Sequence, residues 1–332
     1  MAENSSIKLR KELRRSGLSS AAIDAAWPAW WNDDLSESPS ANAELRFALA
    51  RKLGLAPKSL LGERVEFVWK DRARFKHLGA ETDLDLQVLS SFAMSVGRLL
   101  TRAAPAGRGF HGIGAEVLRQ SILKSSQYVD LRTLLAACWG LGVPVVHLRV
   151  FPLQVKAMHA MVTGVGDVGA VMLGRDASYP ALLAFTLAHE IGHIALGHVR
   201  AGTALVEVED PAQAKYHDQE EQEADAYALT VLTGSPRPEI TTEFERYNAA
   251  TLADAAIKAG PLHRIEPGTL ALCVGHLQGN WAVVMAALKM IYPHPVQIWR
   301  AVNALAGEEI NWEALVDDDQ DFIRALLNAD DV

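Results

Sequence analysis

The residues best suited to chemistry in this sequence lie between Leu187 and His198, LAHEIGHIALGH. On a helix, positions i and i+4 project from one face, so the imidazoles of His189 and His193 can share a tetrahedral Zn²⁺. Glu190 stands directly after the first histidine, giving H-E-x-x-H, in which the glutamate takes a proton from a water acidified by the metal. The plain alternative is a pair of histidines satisfied within a core. Zinc needs at least a third protein ligand. The register H-E-x-x-H-x-x-G-x-x-H fails, because Leu196 stands where its glycine is required and Val199 where its histidine is. His198 is then expected at an exposed or helix-terminal position, where a helix C-terminus favours its positive form.

The better source of a third ligand is Asp218 to Leu229, DQEEQEADAYAL. Glu221 and Asp225 are again i and i+4. Glu221 can ligate the metal while Asp225 accepts a hydrogen bond from the far nitrogen of a ligating histidine. Glu220 and Glu223 are rival ligands, and a solvated acidic face is the bland reading of the run. Ala224, Ala226, Ala228 and Leu229 interrupt the charges, which suits a helix packed closely against another.

These side chains need elements to hold them. Ser178 as a cap, Pro180 in the first turn and the lack of proline from Ala181 to Ala195 predict one continuous helix under the histidines. Ahead of it, Val129 to Leu141 reads as a helix. Val145 to Val150, His159 to Val165 and Gly169 to Leu173 read as short strands, with turn residues Gly166 and Asp167 between the last two. His147 and His159 fall in strands, where a packed histidine is the usual case. Thr82 to Leu100 has the spacing of an amphipathic helix, and the Pro/Gly-rich Ala103 to Gly114 reads as a linker or lid. The order predicts an α+β fold, mostly helical, with a small antiparallel sheet and helices on one side. A strand edge beside the metal could hold an extended peptide by main-chain pairing.

The chain has 332 residues, of which 49% are hydrophobic, enough for more than one folding unit. Cys138 and Cys273 are far apart in apolar settings, which suits buried free thiols in a reducing, cytoplasmic setting. The first residues carry no apolar stretch of signal-peptide type, and no apolar run reaches the length of a membrane span. Residues 1–75 hold 13 Lys+Arg against 10 Asp+Glu and are the only mildly basic part; the rest holds 19 against 30. Short helices are expected there: Ile7 to Arg15, Ser19 to Ala26, Ala41 to Leu53 and Ala56 to Leu61. The segment LARKLGLAPKSLL resembles the later helices of XRE-type helix-turn-helix domains. WPAWWNDD, however, stands where a polar recognition helix is expected, and three tryptophans with two aspartates suit packing or a protein contact better than a major groove. Beyond Ile240 the chain reads as helices, Asn248 to Gly260, Asn280 to Tyr292, Val296 to Ala306 and Gln320 to Asn328. Trp281, Trp299 and Trp312 are core or interface aromatics of that region, and the acidic tail, with Asp317, Asp318, Asp319, Asp330 and Asp331, reads as a solvated run.

Four runs together, YVDLRTLLAACWGLGVPVVHL, AFTLAHEIGHIALGH, EQEADAYALTVLTG and RIEPGTLALCVGHLQGNW, resemble the ImmA/IrrE-type metallopeptidases. The resemblance spans roughly residues 75 to 290. It implies a gluzincin-like catalytic domain with Zn²⁺ ligands His189, His193 and Glu221, general base Glu190, and Asp225 orienting a ligand. Many relatives carry Asn and Phe where Asp225 and Tyr227 stand here. It also implies a protein substrate in trans, a helix-turn-helix repressor whose cleavage releases genes of a stress or mobile-element response. The expected organisation is a helical N-terminal domain over 1–75, a peptidase domain over 76–235 and a helical C-terminal region over 236–332 for substrate recognition or sensing. Tyr227, Tyr247 and His217 are candidates for oxyanion stabilisation. The alternative is a DNA- or protein-binding regulator acting through residues 1–75, with a mainly structural metal site. An intact Glu190 favours the hydrolase, since a structural site has no use for a base beside its ligands.

Overall fold

The computed structural model describes residues 5–62, 64–70, 72–76, 82–154, 158–207, 219–241, 247–294 and 296–328. The N-terminal part folds into α1 (Ser5–Arg15), α2 (Ser20–Ala26), α3 (Pro39–Leu53) and α4 (Pro57–Leu61) before the short strand β1 (Ala73–Lys76). Then come α5 (Asp83–Ala103), α6 (Ala115–Ile122), α7 (Leu131–Gly140), β2 (Val145–His147), β3 (Ala160–Val165) and β4 (Val168–Leu173). The motif segments are α8 (Pro180–Ala195), β5 (Ala204–Glu207) and α9 (Gln219–Thr233). Five helices finish the chain: α10 (Ala249–His263), α11 (Pro267–Gln278), α12 (Trp281–Ile291), α13 (Ile298–Glu309) and α14 (Asp317–Leu327).

The α+β class holds, but the sheet is mixed rather than antiparallel. Its strand order is β1-β5-β3-β4-β2. Only β3 pairs antiparallel on both sides, with β4 and with β5, while β1 on β5 and β2 on β4 run parallel. The β3–β4 hairpin turns at Gly166, whose φ of +61° an L side chain adopts rarely. The parallel pairs join strands separated by long crossovers, which periodicity within one strand cannot reveal. For the same reason β1 and β5, four residues each, were not expected as strands.

Both faces of the sheet are covered, so its strands read as nearly unbroken apolar runs. Met161, Ala170, Met172, Ala204 and Val206 face one cluster with Phe92 and Val96 of α5. Ala160, Val162, Val171 and Leu173 face the other, with Leu187 and Ile191 of α8. The period-2 alternation along β5 turns Ala204 and Val206 toward α5, and Glu207 therefore toward α8. Helix α5 lies close to the sheet because Gly97 faces Thr163; a Cβ there would come within 2.2 Å of the Thr163 hydroxyl.

The Pro/Gly-rich segment 103–114 is packed against the body. Phe110 is fully buried, Gly109 donates its N–H to Leu141, and Gly107 approaches the Leu141–Gly142 backbone. The N-terminal helices share their core with the sheet and with Phe322 and Leu326 of α14. Lys52, buried in that core, binds Asp318 at 2.6 Å and the Ala26 carbonyl, and Arg51 reaches Asp319 at 2.9 Å. The basic pair of the segment resembling a helix-turn-helix is thus engaged within the chain, and Asp318 and Asp319 are ion-paired, Asp319 fully buried, rather than part of a solvated tail. Helix α13 is held to β2 by Asn303, which accepts from His147 N–H and donates to the His147 and Leu327 carbonyls. Helices α10 to α12 have a small cluster of their own around Leu252, Val284 and Leu288. Both cysteines are free and buried. No helix among the described residues is long and apolar enough to cross a membrane.

Candidate metal centre

Helix α8 begins one residue away from the expected cap. Tyr179 is its N-cap, makes no side-chain cap hydrogen bond, and leaves Pro180 at the first position to start the helix. From there α8 runs unbroken to Ala195 with His189, Glu190 and His193 all fully buried. Helix α9 packs across it at Gly192, where the space for a Cβ is taken by Ala224 and Tyr227 at 3.2 Å. The alanines between the acidic residues serve this close approach, as their spacing predicts. The other end of α9 is fixed by Arg119 of α6, whose guanidinium donates to the Val231 and Leu232 carbonyls.

This crossing brings Glu221 to the two histidines. His189 Nε2 lies 3.0 Å from His193 Nε2 and 3.3 Å from Glu221 Oε2, and His193 Nε2 lies 3.5 Å from Glu221 Oε1. Donors held about 2.1 Å from one ion in a tetrahedron are about 3.4 Å apart, so the three distances suit a common ion. Asp225 accepts from His189 Nδ1 at 2.8 Å, the outer contact that holds a ligating imidazole. Glu220 turns away from this cluster and pairs with Arg74 of β1. Glu223 also faces elsewhere, toward His198.

A fourth residue was missed from the sequence. Glu207, at the end of β5, is fully buried with a carboxylate oxygen 3.9 Å from His193 Nε2. Together His189, His193, Glu207 and Glu221 form a metal-capable group whose donor atoms lie within 4.8 Å of one another. The signal for it was the alternation of Leu205 and Glu207 in ALVEVE, which a strand places on one face. His198 stands just past the end of α8, the helix-terminal one of its two expected placements. It is buried rather than exposed, with its Nδ1 2.9 Å from His193 Nδ1 and its Nε2 3.1 Å from Glu223.

The charge balance of this pocket favours a cation. Burial raises the Glu190 pKa, the nearby Glu221 charge adds to that, and the His189 charge opposes it. Burial alone would lower the His189 pKa, but its hydrogen bonds to Asp225 and Glu221 and the charge of Glu190 hold it well above its ordinary value. Among the described residues, neither Glu190 oxygen has a hydrogen-bond partner. A buried carboxylate without a partner costs several kcal/mol, roughly, and a divalent cation beside it offsets that cost. The donor set, two imidazoles with hard carboxylate oxygens, suits Zn²⁺ and other divalent first-row ions.

The candidates for oxyanion stabilisation are placed differently. The buried Tyr227 hydroxyl donates to the Ile113 carbonyl at 2.9 Å, and Tyr247 bonds Gln278 in the α10–α12 cluster. His217 lies outside the described residues, as do Asp218, Asp330 and Asp331. His147 and His159 are buried and hydrogen-bonded, to the Arg175 carbonyl and to Thr186 respectively, as expected of packed histidines.

Residues 177–264 match the family model of Peptidase U49. The matched segment takes in α8, β5 and α9, hence all four residues of the metal-capable group, and it supports a peptidase. No curated protein matches the chain.

Proposed function

We propose that the protein is a zinc-dependent endopeptidase of ImmA/IrrE type. Its substrate is a second protein, a helix-turn-helix transcriptional repressor, whose cleavage relieves repression in a stress or mobile-element response. The observation that carries this reading is the approach of His189, His193 and Glu221 to within 3.5 Å of one another, with Glu190 buried and unpartnered beside them. A divalent ion held by His189, His193 and Glu221 would supply Lewis acidity toward a water and a peptide carbonyl. Glu190 is the group positioned to accept the proton from that water and pass it to the leaving amine. Asp225 fixes the tautomer and ring orientation of His189. Glu207 adds a second negative charge on the sheet side of the ligand cluster.

The domain reading that follows is a peptidase body over residues 76–235, with the segments on either side supporting it and meeting the partner. The engagement of Arg51 and Lys52 with α14 supports a docking or scaffold role for residues 1–75 over groove binding. The cytoplasm, where a repressor is found, is the compartment this substrate implies.

The test is Glu190→Gln in the full chain, with the repressor-type protein encoded beside it as substrate. Zinc is expected to stay bound while cleavage of the partner is lost. Retained cleavage at the wild-type rate, with zinc bound, would sink the hydrolytic assignment.

A further inference from the structure

We infer that His198 and Glu223 are positioning residues for the metal centre, an outer relay that holds His193 in its ligating orientation. The inference rests on the metallopeptidase reading above and adds residues that neither the H-E-x-x-H pattern nor its glutamate ligand includes.

The argument begins with the end of α8. Gly197 has a φ of +77°, and the two bonds that define a Schellman stop are both present: Gly197 N–H to the Ile194 carbonyl at 3.2 Å and His198 N–H to the His193 carbonyl at 2.9 Å. In this motif the residue after the glycine folds back against the residue five positions earlier. In most helices that contact is between two apolar side chains. Here it is between two imidazoles. The backbone therefore delivers His198 to the side of His193 that faces away from Glu221.

The hydrogen-bond chain then has one consistent direction. If His193 meets a metal through Nε2, its proton is on Nδ1, which lies 2.9 Å from His198 Nδ1. His198 Nδ1 must then be the acceptor, so the His198 proton is on Nε2, 3.1 Å from Glu223 Oε2. Glu223 ends the chain as a carboxylate and accepts on its other oxygen from Gln219 at 2.8 Å. Every donor in the series meets one acceptor. The Arg74 guanidinium donates to the His198 carbonyl at 3.3 Å, which ties the same turn to β1.

Helix α9 thus reaches both ligating histidines from outside. Asp225 holds His189 directly, and Glu223 holds His193 through His198. With Glu221 between them, one helix supplies a ligand and both outer acceptors.

The experiment uses the full chain with ¹⁵N-labelled histidine and Zn²⁺ as the probe. In the metal-free wild type, a ¹⁵N–¹⁵N coupling across the Nδ1–H···Nδ1 bond between His193 and His198 is expected. Zinc affinity, read by competition with a chromophoric chelator, is expected to fall about 10- to 100-fold in His198→Phe, which keeps a ring and removes the acceptor. His198→Gln, which restores an acceptor oxygen, is expected to recover most of the loss, with the metal-free melting temperatures of the two variants alike. Wild-type affinity in His198→Phe, or equal loss in both variants with the fold intact, overturns the relay. Should His198→Phe fail to fold, absence of the coupling in the wild type overturns it instead. A wild type that shows the coupling and binds no zinc would count against the metallopeptidase reading and leave the hydrogen-bond chain standing.

Discussion

Replacing Gly192 by alanine tests whether the spacing between α8 and α9 sets the metal site. The added Cβ would lie 3.2 Å from the Ala224 Cα, the Ala224 carbonyl oxygen and the Tyr227 Cβ. That is tighter than ordinary packing, so α9 must give by a few tenths of an ångström. Ala224 is one turn from Glu221 and adjacent to Asp225, and both ride on that shift. Metal–donor distances tolerate about 0.2 Å, so the displacement is larger than the site accepts. Stability responds differently. Alanine in place of glycine within a helix contributes about 1 kcal/mol, and overpacking costs about 1–3 kcal/mol, so the net change is about 0–2 kcal/mol of destabilisation. Against a typical total of about 5–15 kcal/mol the fold survives. We expect Gly192→Ala to melt within a few degrees of the wild type in its metal-free form while binding Zn²⁺ about 10- to 100-fold more weakly in chelator competition. A folded Gly192→Ala protein with wild-type zinc affinity would refute the claim that this helix crossing places Glu221.

Other outcomes are expected from the same geometry. Zinc at 100 times its dissociation constant should stabilise the wild type by about 2.7 kcal/mol, seen as a rise in melting temperature that a chelator reverses; no shift would mean that the ligand group does not bind the ion. Glu207→Gln should weaken zinc binding by less than Glu221→Gln does, because Glu207 lies farther from His193 Nε2, at 3.9 Å against 3.5 Å; the reverse order in a titration would make Glu207 the principal carboxylate. Asn303→Leu removes the bonds that tie α13 to β2 and the end of α14, and should cost about 1–3 kcal/mol in chemical denaturation without changing zinc affinity. His147 carries a pH dependence. Burial lowers its pKa from the usual 6.5, so the unfolded chain takes up the proton first. Stability from this residue is therefore complete above about pH 6.5 and is lost as pH falls toward the folded value; His147→Gln should flatten that limb in denaturation curves recorded between pH 7 and pH 5.

The sequence was most informative where one helix carried the whole signal. His189 and His193 share one helix face, so period alone predicts that both imidazoles can meet one ion, and α8 has the length that its composition indicates. Glu221 and Asp225 were legible for the same reason, with the alanines of α9 marking the packed face. Glu207 was legible only as the alternation in ALVEVE, a weak signal because β5 has four residues and its strand character comes from pairing with β1 and β3 on either side. Its side-chain direction depends on a register that no local pattern records. The contact of His198 with His193 was not legible for a different reason. A glycine stop of this type returns the next residue to the helix, and spacing alone does not show that such a stop has formed. The parallel outer strands and the burial of Phe110 within a Pro/Gly-rich segment follow from contacts between distant parts of the chain, and composition gives no view of those.

The arrangement of α9 explains why its acidic run is dense, although Glu220 and Glu223 remain part-exposed. Glu221 is directed at the histidines, Asp225 at His189 Nδ1, Glu223 at His198 and Glu220 at Arg74. Four carboxylates on one helix repel one another, and a helix that carried them only for solubility could fray at little cost. Here each has a separate partner on α8, on the turn that follows it or on β1. Their combined placement depends on a single rigid-body relation, the seat of Ala224 on Gly192, with Arg119 holding the far end. A displacement of α9 therefore moves the ligand and both outer acceptors together. The Gly192 substitution therefore tests the placement of all three groups at once, whereas replacing Asp225 or Glu223 alone tests one partner.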